Sequence, residues 1–453
     1  MTNAFRLEHD LLGAINVPAD ALYGAQTQRS IENFPLQGEK RLDAYPELLL
    51  AMLQIKKAAA LTNMQAGDLD PDLADAISRT VDDLLRNVPG EQFPVHSFHG
   101  GGGISANMSV NEVIANLANR TYFEKPLGSY SPIHPNDHVN LNQSTNDVFT
   151  SACHIAIISK WQGLQKTLQG LADACNDQGI KWAHVPKISR TCLQDAVEIS
   201  FEDFFSGYRD FVRRSANRID NAVGELYTLN LGGTLVGRQR DVSPAYFNTI
   251  LSVLQTVVQE ARYTRSTNLF DSSQNLDDMV SIGSQFNLLA RGLIKIGKDF
   301  RLLCSGPQTG FGEIELPAVQ PGSSAMPGKI NPSIPEFLIQ CCFQVVGRCA
   351  AAEMALDHGE LDLNVWESIV VVNLLDAMDC LQNGVHVFHT KCLDGIQVNE
   401  QKNRENINTI IPLLNNIKMH KGYSYATQLF KESNGDIEII RQRFDALRAE
   451  KEK

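Results

Sequence analysis

Residues 322 to 336, Gly-Ser-Ser-Ala-Met-Pro-Gly-Lys-Ile-Asn-Pro-Ser-Ile-Pro-Glu, gather several reactive side-chain types on one short stretch. Two adjacent hydroxyls, Ser323 and Ser324, lie between Gly322 and Gly328, and a cation, Lys329, and an amide, Asn331, follow them. Glycine reaches backbone angles closed to other residues, so the segment is expected to be a loop able to close over a ligand. Its hydroxyls, cation and amide are groups that hold an anion. Pro332 and Pro335 suit the first turn of a following helix. Taken alone, the same residues are also ordinary turn chemistry.

Three other segments bring polar groups together. They are Tyr23-Gly-Ala-Gln-Thr-Gln-Arg-Ser-Ile-Glu-Asn-Phe34, Gly101-Gly-Gly-Ile-Ser-Ala-Asn-Met-Ser-Val-Asn-Glu-Val113, and His134-Pro-Asn-Asp-His-Val-Asn followed by Gln143-Ser-Thr-Asn-Asp147. Each has a plain alternative. Ser144-Thr145-Asn146 is good helix-capping chemistry. His134 and His138 could ligate a metal, but no third ligand follows at a standard spacing. The glycines at 100 to 103 could cradle a phosphate, yet no GKS or GKT follows, so a bend that brings backbone close to a ligand reads better.

The GSSxMPxKxNP order at 322 to 332, with the three blocks in sequence before it, resembles the aspartase/fumarase superfamily. The resemblance covers nearly the whole chain. Members of that superfamily add or remove a small group across a carbon-carbon bond next to a carboxylate. Such an elimination needs a base for a barely acidic proton, donors for the aci-carboxylate that forms, and a cation for the remote carboxylate. The resemblance implies that Ser323 is the base, acting as an alkoxide under the closed lid. Serine is a poor base in water, so oriented amides and exclusion of solvent must stabilise its anion. By the same correspondence Lys329 and Asn331 grip the α-carboxylate. Ser144, Thr145 and Ser324 surround the β-carboxylate, and Asn146 and Thr191 lie near the leaving group. The base, the clamp and the oxyanion donors are all protein groups, so no cofactor is needed and no metal ligands are assigned, with a divalent cation left open as an activator. The resemblance further implies a homotetramer in which three subunits meet at each active site.

Some positions depart from the family pattern. Ile104, followed by Ser105, stands where a threonine usually donates to the β-carboxylate. Cys192 replaces a histidine or glutamine near the leaving group that, as histidine, pairs with the glutamate matching Glu336. Gly232-Gly-Thr-Leu-Val-Gly-Arg-Gln-Arg240 brings Arg238 and Arg240 into a loop that commonly reads GGTAVGTG. Four readings follow. The leading one is an aspartase-type carbon-nitrogen lyase, favoured by Glu8-His-Asp-Leu-Leu-Gly13 and Ile334-Pro-Glu336. A second is an ergothionase-like lyase that expels trimethylamine from a histidine betaine, suggested by the lost polar contacts. A third is a fumarate hydratase, favoured by Gly24-Ala-Gln-Thr-Gln28 and Met326-Pro-Gly-Lys329. The last is a non-catalytic structural homologue.

The elements that must position these groups are mostly helical. Met279, Ile282, Phe286, Leu289, Leu293, Ile296, Phe300 and Leu303 alternate spacings of three and four, a heptad seam that calls for long partner helices. Further helices are predicted at about 48–64, 150–177, 200–226, 335–354 and 364–381, the last apolar almost all round and so buried on every side. Strands are expected only as a hairpin in the first thirty-five residues and an extended stretch at 314–319. The fold class is mainly α. Three domains are expected, an N-terminal one at 1–142, a central helical bundle at 143–397 that forms the core of the tetramer, and a small helical one at 398–453 ending in a charged tail.

Composition is consistent with this. The chain has 453 residues, 43% of them apolar and 20% charged, with a net charge of -12. That charge argues against nucleic acid or anionic membrane as a partner, so an anionic substrate needs a local cationic site. No signal peptide and no run of roughly 18 apolar residues is read from the sequence. The nine scattered cysteines, none in a CxxC pair, suit reduced thiols and a cytoplasmic enzyme.

Overall fold

The computed structural model describes residues 4–35, 38–97 and 99–451; the last two residues of the predicted charged tail lie outside them. The order of elements is β1 (Phe5–Asp10), β2 (Gly13–Pro18), α1 (Ala25–Asn33), α2 (Pro46–Ala66), α3 (Pro71–Arg86), α4 (Ile104–Phe123) and α5 (Thr145–Lys181). Then come β3 (Pro186–Thr191), β4 (Gln194–Ser200), α6 (Phe201–Glu225), β5 (Thr228–Leu229), α7 (Pro244–Val258), β6 (Thr264–Arg265), α8 (Leu269–Ser272) and α9 (Asp277–Leu303). The chain ends with β7 (Ile314–Glu315), α10 (Ser333–Leu356), α11 (Glu367–Phe388), β8 (Gln397–Val398), α12 (Glu400–Ile407), α13 (Ile410–Lys421), α14 (Tyr423–Glu432) and α15 (Ile437–Lys451). The fold is mainly α, with strands confined to two-stranded pairs.

The periodic segments become helices close to their expected bounds. All eight seam residues of α9 are buried, and Val370 to Met378 of α11 form an unbroken buried run. The N-terminal hairpin forms with Phe5 opposite Pro18 and Asp10 opposite Gly13. Of the extended stretch at 314–319, only Ile314 and Glu315 pair, with Val398 and Gln397. The β3–β4 hairpin was not expected. Its turn is Cys192-Leu193, with φ of 52° and 61°, so it lacks the Asn-Gly signal that marks a two-residue turn of this hand.

The chain divides into two compact units. The first comprises 1–164, 218–288 and 344–379. In it α2 packs against α3 and α7; α2 opens on Pro46 and closes on Gly67 at φ 79°, the usual asymmetry of helix ends. The second unit comprises 165–217, 289–343 and 380–453. Here the Phe300 ring meets those of Phe205 and Phe388, and α13, α14 and α15 close a small core around Leu413, Ile417 and Ile440.

Helix α10 differs from the other long helices. It is long and apolar enough, by length and composition, to cross a membrane, which counting apolar runs did not reveal; its most apolar 18-residue window has mean hydropathy 1.2 and is 33% buried. Phe337, Phe343 and Met354 are exposed on it.

Candidate functional site

The loop expected to close over a ligand is braced by its own atoms. Gly322 N–H donates to the Lys329 carbonyl at 2.8 Å, Asn331 Nδ2 donates to the Gly322 carbonyl at 2.7 Å, and Lys329 Nζ donates to Asn331 Oδ1 at 2.6 Å. A Cβ on Gly322 would lie 2.6 Å from both Asn331 N and the Lys329 carbonyl oxygen, so only glycine lets the two arms of the loop meet. Inside this brace Ser323 Oγ accepts the backbone N–H of Ala325 at 3.1 Å and of Met326 at 3.0 Å. Ser324 and Lys329 are exposed, while Ser323 and Asn331 are half-buried.

A cavity of about 850 Å³ opens at the base of the lid, with Lys329, Asn331 and Glu336 on its wall together with Lys298, Arg301 and Lys391. Glu336, in the first turn of α10, sits 3.4 Å from Arg301. Lys298, Arg301, Lys329 and Lys391 outnumber the acidic wall residues Glu315 and Glu336, so the cavity carries positive charge in a protein of net charge -12. Thr191 and Cys192, in the same unit, are exposed at the tip of the β3–β4 hairpin. The hairpin is tied down by Glu313, whose side chain is fully buried. Glu313 lies 3.0 Å from Lys187 Nζ and 2.5 Å from Arg190 Nη2, and it accepts Asn406 Nδ2 at 3.0 Å.

The other predicted residues belong to the first unit. Gly101, Gly102 and Gly103 all have positive φ, and a Cβ on Gly103 would come within 2.6 Å of the Phe149 ring. The glycines therefore make the bend that starts α4, which puts Ile104 at its first position, 39% exposed, and Ser105 behind it, buried. Ser144 caps α5: its Oγ accepts Asn146 N–H at 3.3 Å while its own N–H donates to Asp147 Oδ1 at 2.9 Å. Capping and substrate binding are compatible, because a hydroxyl that accepts one hydrogen bond can still donate another. Thr145 Oγ1 accepts from Asn107 Nδ2 at 3.0 Å, and Asn146 Nδ2 donates to the Leu235 carbonyl at 2.6 Å.

Residue-by-residue reading missed what stands behind Thr145. Lys56, fully buried in α2, donates to Asn140 Oδ1 at 2.9 Å and Gln143 Oε1 at 3.0 Å. Asn107 and Asn111 donate to the same Asn140 oxygen at 3.1 Å each. Burial pushes the Lys56 ammonium down to about 7, opposed by the charge of Asp147; burial pushes the Asp147 carboxyl up to about 6. The i, i+4 pair Asn107 and Asn111 on a buried helix face was the available signal. His134 and His138 serve their own loop: His138 Nδ1 accepts His134 N–H at 2.8 Å, and His134 Nδ1 accepts from Asn136 and Asp137. Among the described residues no group of three or more His, Cys, Asp or Glu is placed to hold a metal.

The chain as a whole has counterparts among known proteins. A family model described as lyase matches residues 13–347. An aspartate ammonia-lyase from a Bacillus species is 38% identical over 98% of this chain and 93% of its own. The chain belongs to the aspartase/fumarase superfamily. It is therefore a lyase in fold and family. A class II fumarate hydratase from Thermosynechococcus vestitus is similar to this superfamily member to nearly the same degree, 36% identical over 98% of this chain and 94% of its own. The crystal structure of fumarate lyase:delta crystallin from Brucella melitensis bound to cobalt matches with a TM-score of 0.92 at 36% identity, covering 98% of this chain and 99% of that one.

Proposed function

We propose that the chain is a carbon-nitrogen lyase that eliminates ammonia or an amine from an amino-acid carboxylate, as an aspartate ammonia-lyase does, with Ser323 as the base. The observation that carries this reading is the pair of backbone N–H groups aimed at Ser323 Oγ. Two such donors favour a negative oxygen over a neutral one, which is what a serine needs to act as a base. The Ser323 alkoxide takes the proton from the carbon beside the distal carboxylate, and the electron pair moves into that carboxylate. Collapse of the aci-carboxylate forms the double bond and expels the amine with the electrons of the broken carbon-nitrogen bond. Lys329 and Asn331 hold the α-carboxylate, Ser144, Thr145 and Ser324 donate to the charge that builds on the distal one, and Asn146 and Thr191 face the leaving group.

All these roles are filled by protein groups, so the reading requires no cofactor or metal. The predicted residues fall into two sets, one in each unit, and we place the working site in a homotetramer where different subunits supply them. The exposed apolar residues of α10 support an interface between subunits. Nine cysteines, none of them in a disulfide among the described residues, support a reducing compartment such as the cytoplasm.

Replacing Ser323 with alanine tests the base. We expect turnover of aspartate, followed by absorbance of the unsaturated product, to fall by roughly 10²- to 10⁴-fold or more, with circular dichroism and sedimentation unchanged. Activity within tenfold of the native enzyme takes the base role away from Ser323. A second reading, fumarate hydratase, is favoured by the relatives of that name, and uses the same base and clamp on malate; hydration of fumarate outpacing its amination would select it. The exposed hydrocarbon of Ile104 supports a variant of the first reading in which the distal substituent is apolar or heterocyclic, and turnover of histidine betaines measures it.

A further inference from the structure

Lys56 is the least expected charge in the first unit. It lies inside α2, fully buried, with no carboxylate in direct contact among the described residues, and its ammonium is held by two neutral amide oxygens, Asn140 Oδ1 and Gln143 Oε1. Burying a cation in this way costs several kcal/mol, so a bland role in packing accounts poorly for it. Three donors, Lys56 Nζ, Asn107 Nδ2 and Asn111 Nδ2, converge on Asn140 Oδ1. That convergence fixes which end of the Asn107 amide points inward. Its NH₂ must face both Asn140 and Thr145, and it donates to Thr145 Oγ1 at 3.0 Å.

A hydroxyl oxygen that receives a hydrogen bond from behind turns its own proton away from the donor. We propose that Lys56 is a positioning residue for the lyase reaction: through Asn140 and Asn107 it sets the Thr145 hydroxyl as a donor toward the substrate's distal carboxylate. The inference rests on the reading of Thr145 as a substrate contact. Its second effect is electrostatic. The buried ammonium adds positive potential at the N-terminus of α5, where the helix dipole already favours an anion.

The other titratable groups around Lys56 are few. Asp147, on α5, is committed to the N–H groups of Ser144 and Gly232. Tyr246, on α7, which packs against α2, has its phenol pushed up by burial and stays neutral. Lys56 itself is pushed down to about 7, so the chain Lys56–Asn140–Asn107–Thr145 loses its charge as pH rises through neutrality.

Steady-state kinetics with aspartate and with fumarate test this on the full-length protein, using Lys56→Met, Asn107→Asp, Thr145→Val and the Lys56→Met/Thr145→Val double variant. We expect Lys56→Met to raise KM roughly 10- to 100-fold with a smaller change in kcat. Thr145→Val should add little in the Lys56→Met background, because the two act as one unit. The native KM should rise with pH across neutrality, and in Lys56→Met that rise should vanish. A native KM in Lys56→Met, or full additivity with Thr145→Val, overturns the proposal. Should Lys56→Met fail to fold, Asn107→Asp decides: an aspartate there accepts the Thr145 proton and turns it inward, so a folded variant with native KM refutes the chain. Failure of the native protein to turn over either substrate refutes the functional reading instead. The positioning role is then read from the calorimetric affinity for succinate, which the same variants must weaken by a common factor.

Discussion

At the scale of residues, the proposed base and carboxylate clamp lie close together in the chain, whereas the buried charges Glu313 and Lys56 depend on partners far from them in sequence. Ser323, Lys329 and Asn331 stand out because hydroxyl, cation and amide sit within nine residues of glycine-rich sequence. Glu313 and Lys56 do not stand out, since a single carboxylate or lysine carries no mark of burial in its own neighbourhood; both are buried by contacts with residues far away in the chain. Glu313 shows what such a residue does. It is fully buried between Lys187 and Arg190, and its backbone carbonyl accepts Asn403 Nδ2 at 2.8 Å. Removing it leaves the ammonium of Lys187, itself nearly fully buried, without its direct ion-pair partner. We expect Glu313→Ala to cost about 3–5 kcal/mol of stability, seen as a drop in the midpoint of denaturant unfolding. A loss below about 1 kcal/mol would mean water reaches the site.

At the scale of elements, periodicity found the long helices and turn chemistry failed at one hairpin. The seam of α9 was readable because eight apolar residues recur at helical spacing, and all of them are buried. The β3–β4 hairpin was not, because Cys192 and Leu193 both take left-handed angles that cost L-residues with a Cβ, so no local signal announces the turn. Between elements, His154 of α5 offers a pH test. Its Nε2 lies 3.2 Å from Asp278 Oδ2 at the start of α9, and its Nδ1 lies 3.2 Å from the Thr228 carbonyl. Burial pulls the imidazole down, but the charge of Asp278 and the neighbouring carbonyls outweigh it, so its folded value is raised above 6.5. The stabilisation is therefore complete below about pH 6.5 and is lost as pH climbs through the raised value. Thermal midpoints of the native protein should fall over that range relative to those of His154→Gln, which has no proton to lose. Parallel curves for the two proteins would remove His154 from the pH response.

At the scale of the whole molecule, the family and the mainly α fold were legible from four blocks in order, and agreement with a solved relative at a TM-score of 0.92 matches that reading. What the sequence hid was where its apolar surface lies. Helix α10 looks like a core helix in composition, yet only 33% of its most apolar window is buried in the single chain, and Phe337, Phe343 and Met354 are exposed on it. Burial of that face by other copies predicts a tetramer in analytical ultracentrifugation, and an unfolding midpoint that rises with protein concentration. A monomer at micromolar concentration contradicts it. Aspartate to asparagine or leucine to lysine changes elsewhere on the surface should leave the assembly alone, whereas Phe343→Lys on α10 should split it.

The two N–H groups that meet Ser323 Oγ come from Ala325 and Met326, the next residues but one and two of its own turn. They are main-chain groups, so no side-chain substitution other than proline can withdraw them. The amide contribution to the proposed base is thus portable and travels with the loop, while the exclusion of solvent that it also needs must come from what closes over it. On the proposed reading, substitutions at Ile104 and Cys192 would change which substrate fits while leaving those two N–H groups in place. In such an enzyme, chemistry and substrate preference are inherited separately.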